Sequence, residues 1–276
     1  MQNQATLRSA IEFSGTGLHT GRAARVRVLP APAGSGLRFR LDDAVEFPAH
    51  PDYVVDTRRA TVLGLGEHRV STVEHLLSAL SGTGITNALI AVEGPEIPAS
   101  DGSAREFVAA IDAAGISEQP LPQLRNVVRE PQVFRDGSAL LAVVPADAFR
   151  VRMTIDFPAP VGAQYVDYDG TGYRNTIAPN RTFGFRHEVE ALLERGLALG
   201  GSLDNAVVFD TDGPMQPLRA PDEPARHNVL DLIGDFALLG AYLQCEIVAI
   251  KSGHALHFAA VRALVDSAAV GAASAG

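Results

Sequence analysis

The spacing of hydrophobic and polar residues predicts alternating strands and helices in the first half of the chain. Residues 25–29 and 37–41 alternate apolar and polar side chains, as half-buried strands do. Helices are predicted at residues 72–80 and 104–114, and the apolar run 88–92 predicts a buried strand between them. Each helix is preceded by a serine and has a glutamate three residues further on, which fits a capping box.

The second half has the same character. Strands are predicted at residues 132–134, 139–144, 151–157 and 245–250, and helices at residues 188–195, around Asp231, and at 255–265. The proline-containing segment 118–123 is the best candidate for a linker. We therefore expect an N-terminal domain of residues 1–120 and a C-terminal domain of residues 121–276.

The two halves also resemble each other. His75 stands early on an apolar helix that leads to the predicted strand 88–92, and His227 stands early on another that leads to the strand 245–250. Two copies of one α+β unit that face each other would bring both histidines to a shared cleft. The tail 267–276 consists of small residues, and we expect it to be frayed.

Composition narrows the class of protein. The formal net charge of −9 argues against non-specific nucleic-acid binding, which needs a basic field. The single cysteine, Cys245, excludes an intrachain disulfide and fits a reducing compartment. The first residues do not resemble a signal peptide, and no apolar run approaches the ~20 residues that span a bilayer. We expect a cytoplasmic protein without a transmembrane segment.

The most informative pattern is a polar row on an otherwise apolar helix. His227, Asp231 and Asp235 recur every fourth residue, so they lie on one face of that helix. Because the surrounding positions are apolar, the carboxylates are expected to be buried, and buried carboxylates need a cation, a metal or several hydrogen bonds. The row therefore predicts a set of ligands.

A catalytic zinc ion usually takes three histidine or carboxylate ligands and leaves one position open. His227 and Asp231 would supply two of them, and His75 is the best candidate for the third. Glu74, next to His75, would accept the proton of a water molecule that the metal has made acidic.

Structural interpretations of the same residues remain open. Glu74 could close a helix N-terminus with Ser71, and His75 could be a core histidine with one backbone hydrogen bond. Asp231 and Asp235 could pair with Arg226 or Arg219.

Two further residues stand out near the C-terminus. His254 opens a helix, where a carboxylate such as Asp235 could keep it protonated, and a protonated histidine can protonate a leaving amine. Alternatively, His254 is only a capping residue. Lys251 is the only lysine in the chain, which reflects either codon bias or a need for a compact ammonium.

Taken together, these segments resemble the zinc-dependent UDP-3-O-acyl-N-acetylglucosamine deacetylases of lipid A biosynthesis. The matching motifs run through nearly the whole chain: Gly15-Thr-Gly-Leu-His-Thr-Gly21, Ser71-Thr-Val-Glu-His-Leu76, Pro95-Glu-Ile-Pro98, Asp101-Gly-Ser-Ala104, Arg181-Thr-Phe-Gly-Phe185, Leu199-Gly-Gly-Ser202, Arg226-His-Asn-Val-Leu-Asp-Leu-Ile-Gly-Asp235 and Lys251-Ser-Gly-His254. Each motif alone is weak, but in this order they form a specific match.

The resemblance implies an α+β fold of two similar domains, each a two-layer sheet and helix sandwich, with the active site in the cleft between them. It implies that His75, His227 and Asp231 hold Zn²⁺, with Glu74 as general base. His254, oriented by Asp235, would be the general acid, and Thr182 would polarise the acetamide carbonyl.

The resemblance also implies a substrate site for a UDP-linked acylated amino sugar. An insert near residues 186–210 would form the passage for the acyl chain, and we expect a monomer. The substrate-binding residues would be Leu18, His19, Phe183, Val189, Ala198, Leu203 and Lys251.

One position departs from the pattern, because Asn228 stands where the family usually has a lysine after the zinc-binding histidine. The loss of this cation leaves two alternatives beside hydrolysis of the N-acetyl group. The chain could be a zinc amidohydrolase acting on a different acylated amino sugar, or a binding protein of the same fold without turnover.

Overall fold

A computed structural model describes residues 2–194 and 198–273, without the side chains of residues 190–193 and 268–273. The first half contains β1 (Asn3–Leu7), β2 (Ile11–Thr16), β3 (Ala23–Pro30), β4 (Leu37–Leu41), β5 (Val45–Pro48), β6 (Val54–Asp56), β7 (Val62–Leu65), β8 (His68–Val70), α1 (Glu74–Thr83), β9 (Ala88–Glu93), α2 (Arg105–Ala114) and β10 (Ile116–Pro122). A short 3-10 helix, Pro51–Tyr53, precedes β6.

The second half contains β11 (Arg125–Val127), β12 (Gln132–Asp136), β13 (Ala139–Pro145), β14 (Arg150–Asp156), β15 (Ala163–Tyr168), α3 (Tyr173–Thr176), β16 (Phe183–Phe185), α4 (Arg186–Glu194), β17 (Val207–Asp210), β18 (Gly213–Pro214), α5 (Glu223–Phe236), β19 (Tyr242–Ile250) and α6 (His254–Ala273). The 3-10 helix Ala237–Leu239 follows α5. In the described part of the chain, no helix is both long and apolar enough to cross a membrane.

The main sheets of the two halves share one topology. The first has the strand order β2-β3-β9-β4-β5, and the second has the order β12-β13-β19-β14-β15. In each, the central strand runs antiparallel to one neighbour (β3 or β13) and parallel to the other (β4 or β14). This mixed sheet and helix architecture confirms the expected α+β class.

The central strands show why these sequences form sheets that are covered by helices on one face. Alternate residues of β9 and of β19 are buried, because successive side chains of a strand point to opposite faces of the sheet. The buried residues include Ile90 and Val92 in β9, and Ile247 and Ala249 in β19.

Helix α1 of the first half packs directly against α5 of the second half. Their closest approach is at Gly234, where a Cβ atom would lie 2.0 Å from the carbonyl oxygen of Glu74. Only glycine permits this separation, because any side chain would push the helices apart. The crossing brings the polar row of α5 next to the first turn of α1.

Three local predictions are wrong. The expected linker 118–123 lies largely in β10, which pairs antiparallel with β1. Neither capping box forms: α1 and α2 have Val73 and Ala104 at their N-caps, without a side-chain hydrogen bond. Ser103 instead accepts a hydrogen bond from the backbone N–H of Arg105. The domain boundary at residue 120 stays a prediction, and the end of the tail lies outside the described residues.

Candidate active site

Three side chains meet where α1 crosses α5. Nε2 of His75 lies 3.4 Å from Oδ1 of Asp231, and Nε2 of His227 lies 3.4 Å from Oδ2 of the same carboxylate. One donor atom from each of the three residues falls within 4.8 Å of the other two. The imidazole rings meet edge to face, with centroids 5.0 Å apart. We call these three residues the triad.

The protonation of His227 and Asp231 suits a metal ion. His227 donates from Nδ1 to the backbone carbonyl of Asn180 at 3.1 Å, which leaves the Nε2 lone pair free to bind. Burial lowers the pKa of His227, and so favours the neutral, metal-binding form of its ring. Burial would raise the pKa of Asp231, but the neighbouring His227 and His75 hold it well below its usual range.

The triad also leaves one atom unsatisfied. Oδ1 of Asp231 is buried and has no hydrogen-bond partner among the described residues. A buried carboxylate oxygen without a partner is costly, and a cation between the three side chains would remove this cost. Two imidazole nitrogens and one carboxylate oxygen form a donor set that catalytic zinc sites use.

Glu74 stands beside the triad at the start of α1. Its Oε2 accepts a hydrogen bond from the backbone N–H of Thr61 at 3.1 Å, and its side chain is almost completely buried. Burial raises the pKa of Glu74 to about 7. A carboxylate with a pKa near neutrality can both take up and release a proton at physiological pH.

His254, the first residue of α6, faces Glu74 across the same space, with Nε2 3.9 Å from Oε1 of the glutamate. Its Nδ1 is hydrogen bonded to Oδ2 of Asp235 at 2.8 Å. Burial lowers the pKa of His254, but the charge and the hydrogen bond of Asp235 outweigh it and raise the pKa to about 10. His254 is therefore placed to donate a proton from Nε2.

Asp235 also holds two residues that sequence reasoning missed. Its Oδ1 accepts from the Thr61 hydroxyl at 2.6 Å, and its Oδ2 also bonds Nδ1 of His257 at 2.8 Å. The spacing of three between His254 and His257 places both on one face of α6, which was the available signal.

The proposed pairing of Asp231 and Asp235 with arginines is wrong. Instead, Arg226 pairs with Asp222, and Arg219 pairs with Asp101.

The triad opens into a cavity of about 810 Å³. Besides the triad, Glu74 and His254, its lining includes six of the seven residues expected to bind substrate: Leu18, His19, Phe183, Val189, Ala198 and Leu203. Thr182 also lines it, between backbone hydrogen bonds to Gly102 and Val207. The neighbouring Arg181 forms a buried ion pair with Glu223 at 2.9 Å, which anchors the segment that carries Thr182.

The loop at residues 17–20 forms one wall and depends on Glu96, another residue that sequence reasoning missed. The fully buried Glu96 carboxylate accepts hydrogen bonds from the backbone N–H groups of His19 and Thr20. The backbone of Leu199 and Gly200 donates in turn to this loop. The proposed acyl-chain insert, residues 186–210, therefore contacts the loop through Leu199 and Gly200. Residues 195–197 of the insert lie outside the described residues.

Lys251 does not line this cavity. It forms an ion pair with Asp156 at 2.6 Å and lines an adjoining cavity with Asn228, Arg59 and His254. Arg59 lines both cavities, so it stands where they meet. Arg59 forms no hydrogen bond or ion pair with any residue in the part of the chain that the structure describes.

Comparison with known proteins yields matches over nearly the whole chain. A family described as UDP-3-O-acyl N-acetylglycosamine deacetylase matches residues 4–266. The chain is 47% identical to a UDP-3-O-acyl-N-acetylglucosamine deacetylase of Anaeromyxobacter sp. (strain Fw109-5), over 94% of this chain and 88% of the relative. It is 43% identical to an enzyme of the same name from Nostoc sp. (strain PCC 7120), over 92% and 95% of the two chains.

Proposed function

Because the chain belongs to the UDP-3-O-acyl N-acetylglycosamine deacetylase family, it is a deacetylase, and we propose that it hydrolyses the N-acetyl group of UDP-3-O-acyl-N-acetylglucosamine. The products would be acetate and UDP-3-O-acyl-glucosamine. The observation that carries this proposal is the facing pair of Glu74 and His254, 3.9 Å apart beside the triad.

We propose Zn²⁺ as the ion held by His75, His227 and Asp231, since the donor set and the unpartnered Asp231 oxygen fit it. When bound, this ion polarises the amide carbonyl and lowers the pKa of water towards neutrality. The chain would hold these three ligands rigidly. The carbonyl of Asn180 fixes the ring of His227, and the close contact at Gly234 fixes α5, which carries His227 and Asp231, against α1.

The reaction needs one proton to leave the attacking water and one to reach the departing nitrogen. Glu74 would accept the first at Oε1, while the backbone N–H of Thr61 holds the other carboxylate oxygen. His254 would donate the second from Nε2 to the amide nitrogen as the carbon–nitrogen bond breaks. Thr182 would donate its hydroxyl proton in a hydrogen bond to the developing oxyanion.

The remaining lining suits the rest of the substrate. We propose that Leu18, Phe183, Val189, Ala198 and Leu203 enclose the acyl chain, because their apolar side chains line the cavity beside the triad. His19, which belongs to the loop at residues 17–20, lines the same cavity.

We further propose that Arg59 contacts the diphosphate. Among the described residues, the arginine and lysine side chains that line the two adjoining cavities are Arg59, Arg186 and Lys251. Arg186 pairs with Asp210 and Lys251 pairs with Asp156, whereas Arg59 has no ion-pair partner among the described residues.

Arg59→Gln should raise KM for the nucleotide sugar about tenfold, as the loss of a charge-assisted hydrogen bond would. Arg58→Gln is the matched control, since Arg58 is 88% exposed and pairs with Asp56.

Two substitutions test the central roles. Glu74→Ala should retain the metal but lose most acetate release, because the proton acceptor is gone while the triad is intact. His227→Ala should lose both. Metal analysis and an acetate assay on the two variants, with the exposed Glu67→Ala as control, measure this. Full activity of Glu74→Ala would contradict the assigned base.

The alternative is a zinc amidohydrolase acting on a different acylated amino sugar, and the neutral Asn228 in the adjoining cavity is the observation that favours it. A panel of nucleotide sugars that differ in the acyl group distinguishes the two. A metal-loaded protein that releases acetate from none of them would favour a binding role.

A further inference from the structure

The mechanism above leaves one buried histidine without a role. His257 is 1% exposed, and both of its ring nitrogens have partners. Nδ1 lies 2.8 Å from Oδ2 of Asp235, and Nε2 lies 3.0 Å from the hydroxyl oxygen of Ser252. A buried imidazole in a helix costs desolvation, so two well-placed partners indicate that its orientation is defined.

His257 and His254 bind the same oxygen of Asp235, each from Nδ1 and each at 2.8 Å. Because the carboxylate can only accept, both histidines must carry a proton on Nδ1. In His254 this leaves Nε2 directed at Glu74. In His257 it leaves Nε2 to meet the Ser252 hydroxyl.

A carboxylate held by one donor can rotate about its terminal torsion, which is broad. Asp235 instead meets three donors from two segments: Thr61 before α1, and His254 and His257 on successive turns of α6. Without His257, only His254 itself would hold Oδ2. The orientation of the proposed acid would then depend on a carboxylate that is held only by His254 itself and, at the other oxygen, by the Thr61 hydroxyl.

We infer that His257 is a positioning residue that fixes Asp235 and thereby directs Nε2 of His254 towards the substrate. The Ser252 hydroxyl completes the arrangement by holding the far side of the His257 ring. This inference rests on the proposed function for its catalytic consequence, but the hydrogen-bond arrangement itself can be tested without turnover.

Two polar substitutions distinguish the roles of the two ring nitrogens of His257. The side-chain nitrogen of His257→Asn can take the place of Nδ1 and still donate to Asp235, whereas that of His257→Gln reaches towards Ser252. We expect His257→Asn to keep kcat within about threefold of the wild-type value. We expect His257→Gln to lower kcat about 10- to 100-fold with unchanged KM and metal content, the range for partners that orient active-site groups. Equal losses in both variants would overturn the inference.

A structural role would produce a different pattern. Phe236→Leu changes the packing beside the His257 ring, 6.4 Å away between centroids, without touching a hydrogen bond. We expect it to reduce thermal stability with little change in kcat. If the loss of kcat in the His257 variants only followed their loss of stability, as in Phe236→Leu, His257 would not be a positioning residue.

Proton NMR provides a readout that does not depend on activity. The Nδ1 proton of His254, which is hydrogen bonded to Asp235, should give the same downfield resonance in the wild type and in His257→Asn, and a shifted or rapidly exchanging one in His257→Gln. An unchanged resonance in His257→Gln would contradict the inference. If the wild type released no acetate, the proposed function would fail, and this spectrum would still decide the inference.

Discussion

Three hydrogen-bond donors converge on the carboxylate of Asp235, and this side chain sets the chemistry of His254. The charge of Asp235 is the largest influence that raises the pKa of His254 to about 10 against the effect of burial. In the proposed mechanism His254 acts in its protonated form, which exists below this pKa and is lost as the pH rises through it. A cation held by the triad would lower the pKa, because like charges repel.

Asp235→Asn should therefore move the alkaline limb of the activity profile to lower pH. Without the carboxylate charge, burial dominates and the pKa of His254 falls. We expect kcat/KM to decline at least one pH unit earlier than in the wild type, in a profile measured from pH 5 to 11. Asp112→Asn, which alters only a surface pair with Arg174, serves as control. An unchanged alkaline limb would contradict the assignment of His254.

Single residues show where sequence reasoning succeeds and where it ends. His227, Asp231 and Asp235 could be recognised because helical spacing places them on one face of α5, where the structure buries His227 and Asp235 and leaves the Asp231 side chain 15% exposed. Glu96 and Thr61 could not, because their partners lie 77 and 174 positions away along the chain. Spacing predicts neighbours on one element, whereas contacts between elements depend on the fold.

At the scale of elements, the crossing of α1 and α5 determines the geometry of the site. His75 lies on α1, while His227 and Asp231 lie on α5. The separation of the helices therefore fixes the distances between the three side chains of the triad. Gly234 permits the close approach, since an added Cβ would lie 2.0 Å from the Glu74 carbonyl oxygen.

Gly234→Ala should push α5 away from α1 and weaken metal binding together with stability. Overpacking of this kind costs about 1–3 kcal/mol of unfolding free energy. Denaturant unfolding and metal titration would measure the two effects. Gly253→Ala is the matched control, because a Cβ there meets no atom within 4 Å. Wild-type stability and metal affinity in Gly234→Ala would contradict this account of the crossing.

The predicted elements were most accurate where the apolar pattern was strong, as in the continuous run of β9, the largely apolar β19 and the helical spacing of α5. The segment 118–123 was misjudged because its prolines are typical of an open linker. In the structure it belongs to β10, a largely exposed strand that pairs with β1, the first strand of the chain. The capping box of Ser71 and Glu74 failed because Glu74 instead accepts a hydrogen bond from Thr61, 13 residues earlier.

At the scale of the whole molecule, two halves whose main sheets share one topology contribute different side chains to one site. The first half provides Glu74 and His75, and the second provides His227, Asp231 and His254. A metal ion in the triad would join the halves, because its ligands come from both. Metal binding should then stabilise the entire fold, since the unfolded chain cannot assemble the three ligands.

Removal of the metal with a chelator should accordingly lower the midpoint of thermal unfolding. Metal at about 100 times its dissociation constant contributes ~2.7 kcal/mol, which corresponds to several degrees for a chain of this size. Readdition of Zn²⁺ should restore the midpoint. His227→Ala should show no such response. A wild-type midpoint that is insensitive to both chelator and Zn²⁺ would contradict a metal held between the halves.

The central claim is that the triad, Glu74 and His254 form a metal-dependent deacetylase site. It is tested most directly by measuring zinc content and acetate release on one preparation purified without chelator. The account predicts one zinc per chain and one acetate for each molecule of amine product formed from UDP-3-O-acyl-N-acetylglucosamine. A metal-free preparation with full activity, or a zinc-loaded one that releases no acetate, would contradict it.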